Sequence, residues 1–276
     1  MIRRVERDRR GRLAHMTTPT LLRLAEVGPG VWVAHSRRYA TTSTVVLDGH
    51  GGALVIDPAW DADELAAIPT DLAALGVRCV AGLATHQHHD HVLWHPDLGD
   101  VPRWSTPGTV RATVEDRAEV VRPLAGDLPD DLVAIAGRLT PIEGERLDWS
   151  GPAALVHVHH AHAPHHLALE LPDLGLLVAG DMLSDVELPM PDDRDTDLVT
   201  YRAGLESLGD VVRRSRLLVP GHGAVSANPV ERWDADRRYL DDLESRGASD
   251  DPRIGLEGMA ELHEQNLARA ATRGSS

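Results

Sequence analysis

The chain has 276 residues, enough for one large domain, and it carries 28 basic and 43 acidic side chains. The net charge of −15 argues against nucleic-acid binding and against docking on an anionic membrane, because both need a basic surface. The single cysteine, Cys79, excludes a disulfide framework and multi-cysteine zinc modules, and no apolar run reaches the roughly 18 residues that span a bilayer.

The N-terminal residues 1–15 hold six arginines and few apolar side chains, so they are predicted to form a disordered basic tail. They lack the apolar segment of a secretory signal, which favours a cytoplasmic location, and Met16 is an alternative start of the protein. Neither a linker nor a change of composition divides residues 16–276. A single domain with helices at its C-terminus is therefore expected.

Predicted strands and helices alternate along this domain, which is typical of α/β proteins. Short apolar and β-branched runs predict eight strands, at 31–34, 43–47, 53–56, 77–84, 155–159, 167–171, 176–179 and 217–219. Helical spacing of apolar residues predicts six helices, at 61–75, 107–125, 130–137, 197–213, 229–246 and 255–273. Acidic residues in the first turn of the first of these helices suit the positive end of its dipole.

A histidine-rich motif follows a buried predicted strand, in a chain that holds 16 histidines. Residues 85–91 read Thr-His-Gln-His-His-Asp-His. Side chains alternate along an extended segment, so His86 and His88 point the same way, and a turn after them aims Asp90 and His91 at a neighbouring point. Neutral imidazoles and carboxylates are good ligands for zinc and similar ions. The motif therefore predicts a metal site that other segments complete.

Three later residues are candidates for completing this site. They are His162, Asp181 and His222, and each lies in a loop that follows an apolar predicted strand. Because α/β folds build sites from loops at the carboxyl ends of strands, these residues are predicted to meet the histidine-rich motif. Glycines beside Asp181 and His222 let the backbone turn tightly next to a metal ion.

Together these motifs resemble the metallo-β-lactamase superfamily in its broad metallo-hydrolase sense. The HxHxDH signature is matched by His86, His88, Asp90 and His91, the later histidine by His162, the bridging aspartate by Asp181 and the last histidine by His222. Asp57 resembles the early structural aspartate of the family. The resemblance implies an α/β fold with four layers, an αββα sandwich of two face-to-face sheets, and a metal site at one edge similar to that of glyoxalase II.

The resemblance also implies how the ligands divide between two divalent ions. His86, His88 and His162 would hold the first ion, Asp90, His91 and His222 the second, and Asp181 would bridge both. Zinc is the expected metal, and iron and manganese suit the same mixed nitrogen and oxygen ligands. A bridging hydroxide would be the nucleophile, and Asp90 would act as the catalytic proton acceptor.

The implied function is a metal-dependent hydrolase that cleaves an ester, thioester or lactone bond of a small molecule. A non-catalytic metal-binding or sensing module of the same fold is the alternative interpretation. True metallo-β-lactamases generally lack the bridging aspartate that Asp181 matches, and flavodiiron proteins have glutamate where His88 stands. Acyl-homoserine lactonases have a tyrosine shortly after the aspartate, and none follows here. Antibiotic hydrolysis and a redox role are therefore disfavoured, and a lactonase is favoured less than other esterases.

Segments 92–104 and 184–197, which adjoin the ligands, are expected to form the walls of the substrate pocket. The second carries six acidic residues against one arginine, which predicts a rim that favours neutral or cationic over anionic substrates. His89 is expected to be an exposed spacer within the motif. His165 replaces a family glycine, and it and His166 are candidates for supporting the ligands or contacting substrate.

Overall fold

The computed structural model describes residues 23–192 and 196–271, so the tail predicted for residues 1–15 lies outside the described residues. The described residues form the strands β1 Ala25–Gly28, β2 Val31–His35, β3 Thr42–Leu47, β4 Gly52–Ile56, β5 Arg78–Leu83, β6 Arg103–Ser105, β7 Thr140–Pro141, β8 Leu155–His159, β9 His166–Leu171, β10 Leu176–Gly180 and β11 Leu217–Pro220. They form the helices α1 Ala62–Ala74, α2 Pro107–Glu115, α3 Arg117–Val121, α4 Asp130–Ile135, α5 Leu198–Ser207, α6 Gly209–Arg214, α7 Pro229–Arg246 and α8 Met259–Ala271. None of these helices is both long and apolar enough to cross a membrane.

The strands form two mixed sheets. The first runs β1 to β7 in chain order, antiparallel as far as β4 and parallel from β4 to β7. The second has the order β11-β10-β9-β8, in which only β10 and β11 pair in parallel. Parallel neighbours need a crossover, and helices supply it: α1 joins β4 to β5, and α5 and α6 join β10 to β11.

Three apolar clusters define the layers. One lies between the sheets and joins Leu54 of the first sheet to Leu169 of the second. Side chains alternate along a strand, so Val55 faces the other way and packs with Leu65 of α1. A third cluster packs the C-terminal helices, around Trp233, on the outside of the second sheet. The four-layer αββα sandwich implied by the resemblance is therefore confirmed.

The predicted strands are all present, with ends that differ by at most one residue. The helix predicted at 130–137 ends two residues early, at Ile135, and three other helices differ more from prediction. The helix predicted at 197–213 divides into α5 and α6. The carbonyl of Leu205 accepts the indole N–H of Trp233 at 2.9 Å, and in a continuous helix that carbonyl would bind the N–H of Gly209. This long-range hydrogen bond marks the break.

Local backbone explains the other two differences. The helix predicted at 107–125 becomes α2, α3 and a short 3-10 turn, which contains Pro123 and therefore lacks one backbone donor. The helix predicted to start at residue 255 starts at Met259. Gly258 before it has φ +76°, outside the right-handed helical region.

Candidate metal centre

The seven predicted ligands lie together at one edge of the sandwich, although they come from both sheets. His86, His88, Asp90 and His91 follow β5 of the first sheet, His162 lies between β8 and β9, Asp181 follows β10 and His222 follows β11. The loops after these strands meet at the same edge, which is where α/β proteins build their sites. One motif and three isolated residues thereby share one site.

The ligand-type atoms form three groups in which all atoms lie within 4.8 Å of one another. Two of them hold the predicted ligands: the first group is His86, His88, His162 and Asp181, and the second is Asp90, His91 and His222. The remaining one joins Glu187, which the sequence did not indicate, to Asp181 and His222. Asp181 also reaches the second group, because its Oδ1 lies 3.1 Å from Nε2 of His91 and its Oδ2 lies 3.3 Å from Nε2 of His222. The first and second groups divide the ligands as the family resemblance implies.

Asp57 supports the ligands of the first sheet from behind. Its carboxylate accepts the backbone N–H of Thr85 at 2.8 Å and the Thr85 hydroxyl at 2.7 Å, and it lies 3.0 Å from Nδ1 of His91. A carboxylate only accepts, so Nδ1 of His91 carries a proton. The Thr85 hydroxyl in turn accepts from Nδ1 of His86 at 3.1 Å. Both imidazoles are thereby oriented with Nε2 toward the centre of the site.

Two further imidazoles are oriented from the wall of the site. Nδ1 of His162 donates to the carbonyl of Met190 at 2.7 Å, which turns Nε2 of His162 inward. Nε2 of His88 lies 3.3 Å from Oδ2 of Asp192, so the opposite nitrogen, Nδ1, faces the site at 3.0 Å from Nε2 of His162. Such partners select the tautomer that a metal ligand needs.

The last imidazole, His222, is held by a turn in the N-terminal part of the chain. Its Nδ1 donates to the carbonyl of Tyr39 at 3.0 Å, which leaves Nε2 for the site. Tyr39 and Ala40 have φ values of 55° and 50°, in the left-handed region that residues with a side chain seldom adopt. Such backbone strain is concentrated at functional sites, and here it aims a carbonyl at a candidate ligand.

This arrangement leaves lone pairs facing one another around Asp181. Nε2 of His86 and Nε2 of His162 lie 3.5 and 3.3 Å from its Oδ2. Among the described residues, the buried Nε2 of His86 has no hydrogen-bond partner. The buried Oδ1 of Asp181 has none either, because Nε2 of His91, at 3.1 Å, is not aligned with it for a hydrogen bond. Buried acceptors this close are costly unless a cation lies between them. The site therefore fits divalent metal ions, which take nitrogen and carboxylate ligands of this kind.

The pKa values of the histidines also indicate that the carboxylates of the site favour a positive charge beside them. Burial lowers the pKa of His86 well below its usual value and that of His162 to about 4, so both stay neutral. Burial acts in the same direction on His91 and His222, but the carboxylates of Asp181 and its neighbours outweigh it. They raise the pKa of His91 well above its usual value and that of His222 to about 10.

A cavity of about 1160 Å³ opens over these ligands. Its floor consists of His88, His89, Asp90, His162, Asp181 and His222. Its walls are the turn at 37–40, the loop at 186–192 and the C-terminal residues 256–269, which include most of α8. Sites for small molecules usually have volumes of about 300–1,000 Å³, so this cavity is large enough for such a substrate.

The prediction that residues 92–104 form a wall is wrong. Val92 and Trp94 are buried in the core, and the ring of Trp94 occupies the space that a Cβ on Gly82 would need. The chain therefore turns beneath the motif rather than over the ligands. The second predicted wall, 184–197, is correct in part, because residues 186–192 line the cavity.

Among the described residues, the rim carries charges of both signs. Glu187, Asp192 and Glu257 line the cavity, and Arg37, Arg38 and Arg269 line it as well. Of the other acidic residues in the predicted wall, Asp185 pairs with Arg232 and Asp197 caps α5, so neither lines the cavity, whereas Asp193 and Asp195 lie outside the described residues. The prediction of an acidic rim did not include the three arginines.

Two cavity residues differ from what the sequence indicated. His89 is half-buried rather than exposed, and its ring lies 5.1 Å from that of Trp60. The sequence did not indicate a particular role for Glu187, because it is one of six acidic residues in the segment 184–197. Its burial and the nearby aspartates raise its pKa to about 7, although His222, 3.8 Å away, opposes them.

His165 and His166 were the candidates for supporting the ligands or contacting substrate. Neither lines the cavity, and only His166 supports the ligands. The carbonyl of His165 accepts the hydroxyl of Thr106 at 2.8 Å, away from the ligands. His166 is fully buried, and its Nε2 accepts the backbone N–H of Asp181 at 3.2 Å. Its Nδ1 lies 2.9 Å from Nε2 of His159, so two buried imidazoles lie beneath the floor.

Known proteins share this fold. No curated protein matches the chain. Among solved structures, VMB-1 is 16% identical with a TM-score of 0.58, covering 77% of this chain and 95% of its own. A metallo-beta-lactamase from Pontibacter korlensis is 17% identical with a TM-score of 0.59, and the match covers 77% of this chain and 97% of that one. The sec-alkylsulfatase Pisa1 from Pseudomonas sp. is 18% identical with a TM-score of 0.60, and the match covers 81% of this chain and 42% of that one.

The sequence model of the metallo-beta-lactamase superfamily matches residues 37–224, more than half of the chain. The match contains all seven candidate ligands as well as Asp57. The structural neighbours agree with it at the level of the fold. The chain belongs to the metallo-β-lactamase superfamily, and it has that family's hydrolase fold with groups of histidine and aspartate that can bind metal.

Proposed function

We propose that the protein is a metal-dependent hydrolase that cleaves an ester, thioester or lactone bond of a small molecule at a site for two ions. The observation that carries this proposal is the convergence of lone pairs on Asp181 at the floor of a cavity. Nε2 of His86 and Oδ1 of Asp181 are buried without partners, and cations would satisfy both. Zinc is the expected metal, with iron and manganese as alternatives.

The two groups of residues would each hold one ion. His86, His88 and His162 would bind the first, Asp90, His91 and His222 the second, and Asp181 both. When bound, the ions would supply Lewis acidity and a hydroxide nucleophile at neutral pH. Neutral imidazoles and only two carboxylates leave such a site positively charged, which stabilises a carbonyl oxygen that gains negative charge during attack.

Asp90 is the proposed catalytic residue. It lines the cavity, so it can reach an attacking water as well as an ion. Burial alone would raise its pKa, but the imidazoles of His91 and His222 outweigh burial and lower it. Asp90 is therefore ionised at neutral pH before ions bind, and a carboxylate that binds a divalent ion stays ionised. It would orient the water and accept its proton.

Metal content is the first test. Protein purified without chelator and reconstituted with zinc should hold about two ions per chain, as expected for two complete ligand groups. Asp181→Ala should hold fewer ions, because it removes the residue that both groups share. A ratio near zero in the unchanged protein would overturn the proposal.

Turnover is the second test, with chromogenic esters, thioesters, lactones, phosphodiesters and sulfate esters as probes. The zinc form should hydrolyse at least one carboxylic ester, thioester or lactone, and Asp181→Ala should abolish this activity while its circular dichroism stays native. Two bound ions with no turnover of any probe would favour the metal-binding or sensing module. Faster hydrolysis of a phosphodiester than of every carboxylic ester would contradict the proposed bond class.

A further inference from the structure

Helix α8 presents one mixed face to the cavity. Met259, Leu262, Gln265 and Arg269 all line it, and their spacing of three, three and four residues places them on one side of the helix. The apolar members come first along the helix and the polar members last. This wall therefore changes from apolar to polar along its length.

The loop opposite the ligands continues the apolar surface. Val186, Met190 and Pro191 line the same cavity. Met190 connects this surface to the metal centre, because its carbonyl accepts the Nδ1 proton of His162 at 2.7 Å. A substrate whose reacting carbonyl lies at the ligands thus extends past Met190 toward α8.

Hydrogen bonds hold α8 and this loop together. The buried side chain of Asn266 donates to the carbonyl of Pro189 at 2.7 Å, and the N–H of Leu188 lies 3.3 Å from the sulfur of Met259. Arg253 donates to two carbonyls of the same loop, at 3.0 and 2.9 Å. The apolar wall is therefore formed before any substrate binds, which reduces the entropy that binding must overcome.

The wall leaves apolar surface in contact with water. Leu256, at the start of the wall, is 43% exposed, and Met259 is half-buried. Covering such surface is favourable in proportion to its area. Methionines line both sides of the subsite, and their unbranched side chains adapt to a flexible chain better than rigid residues do.

We propose that α8 and residues 186–191 form a subsite for a straight aliphatic acyl chain, so that the substrate is an ester or thioester of a medium-length fatty acid. This inference rests on the proposed function, because it takes the metal centre as the place where the carbonyl reacts. At 1.5 Å per residue, the wall from Met259 to Gln265 is about 9 Å long. Gln265 marks its polar end, which limits the length of chain that gains contact.

Binding of straight-chain alkanoates to the zinc-loaded protein tests the subsite without turnover. From acetate through butyrate to hexanoate, the Kd measured by calorimetry should fall about fourfold per added methylene, which corresponds to about 0.8 kcal/mol. The trend should level off toward decanoate, because longer chains pass Gln265. Equal Kd values for acetate and hexanoate would overturn the inference.

Three variants test whether the dependence of binding on chain length comes from α8. Met259→Gln keeps the side-chain size and helix propensity but should flatten the dependence on chain length. Gln265→Leu should extend the dependence to longer chains, a gain that misfolding cannot produce. Glu264→Leu is the matched control, because Glu264 is exposed and does not line the cavity. Identical behaviour of the Gln265 and Glu264 variants would reject the subsite.

The p-nitrophenyl esters of the same acids separate this inference from the proposed function. Their kcat/KM values should follow the same trend with chain length. If none of the esters, thioesters and lactones is hydrolysed but alkanoate binding keeps its trend, the hydrolase is rejected and the subsite stands. If esters are hydrolysed at rates independent of chain length, the subsite is rejected and the hydrolase stands.

Discussion

The floor and the walls of the cavity are built in different ways. The ligands that form the floor or lie directly beneath it include four from one loop after β5, and buried hydrogen bonds such as that from His91 to Asp57 orient them. The walls come from residues 37–40, 186–192 and 256–269, which are far apart in sequence. Contacts such as those of Arg253 hold them in place.

If the proposed function holds, this difference means that metal binding and substrate choice have separate structural supports. Damage to the contacts behind the floor should change metal affinity first, whereas damage to the contacts behind the walls should change stability and substrate preference first. The two regions meet where the imidazoles of three candidate ligands contact wall residues: His162 at Met190, His88 at Asp192 and His222 at Tyr39. Substitutions away from these contacts can therefore separate the roles of the two regions.

The largest expected effect is on the walls. Arg253 is 6% exposed and pairs with the buried Asp236 at 2.6 Å. Arg253→Met leaves that carboxylate without its partner, so the free energy of unfolding, measured with urea, should fall by about 3–5 kcal/mol. Arg246→Met is the control, because its exposed pair with Asp242 contributes no more than about 0.5 kcal/mol. Equal losses in both variants would show that Arg253 does not anchor the wall.

The next largest effect is the loss of folding stability in acid that the buried His159, beneath the floor, should cause. Burial and neighbouring imidazoles lower the pKa of His159 to about 3, whereas the unfolded chain takes up this proton near pH 6.5. The contribution of His159 to the free energy of unfolding is thus fully present above pH 6.5, and it is lost as the pH falls toward 3. Between pH 6.5 and 4.5 the loss should be roughly 2–3 kcal/mol. In metal-free protein, His159→Leu should lose correspondingly less stability with acid, and an unchanged dependence would contradict this assignment.

Asp57 tests the support of the floor. Asp57→Ala removes the hydrogen-bond partner of His91 and Thr85, and zinc affinity should fall about 10–100-fold, as is usual when such an outer partner of a ligand is lost. Competition with a chromogenic chelator measures the change. Asp57→Asn should lose less, because its amide oxygen still accepts one hydrogen bond. Native zinc affinity in the alanine variant would mean that the floor does not depend on Asp57.

The smallest effect is expected at His89, which lies on the floor beside Trp60 but belongs to neither group of ligand atoms. His89→Ala should leave both the metal content and the turnover nearly unchanged. Elemental analysis and an ester assay of the same preparation check this. If this variant lost metal as Asp181→Ala is expected to, the assignment of ligands within the motif would be wrong.

The sequence predicted much of the floor because metal ligands require particular residue types at fixed places. His86 and His88 differ by two positions after an apolar strand, and this pattern is rare enough to indicate their role. The longer strands were equally clear, since runs such as 52–56 are fully buried and apolar. Strands β1, β6 and β7 were missed because runs of two to four residues carry too little pattern.

Only the wall at 186–192 was predicted, within the segment 184–197, and the other walls were not predictable because tertiary contacts define them. Met259 and Leu262 have the spacing of any amphipathic helix, and only the docking of α8 shows that they face a cavity. Residues 92–104 were assigned to a wall because they adjoin the ligands in sequence, yet Trp94 packs under β5. The break between α5 and α6 depends on Trp233, which lies far along the chain.

The order of these regions along the chain has a consequence for biosynthesis. All seven candidate ligands precede α7, whereas α8 is the last helix that the structure describes. Chains emerge from the ribosome N-terminus first, so the complete set of ligands is available before α8 has been made. Ions could then reach the candidate ligands from solvent before α8 adds the last wall of the cavity above them.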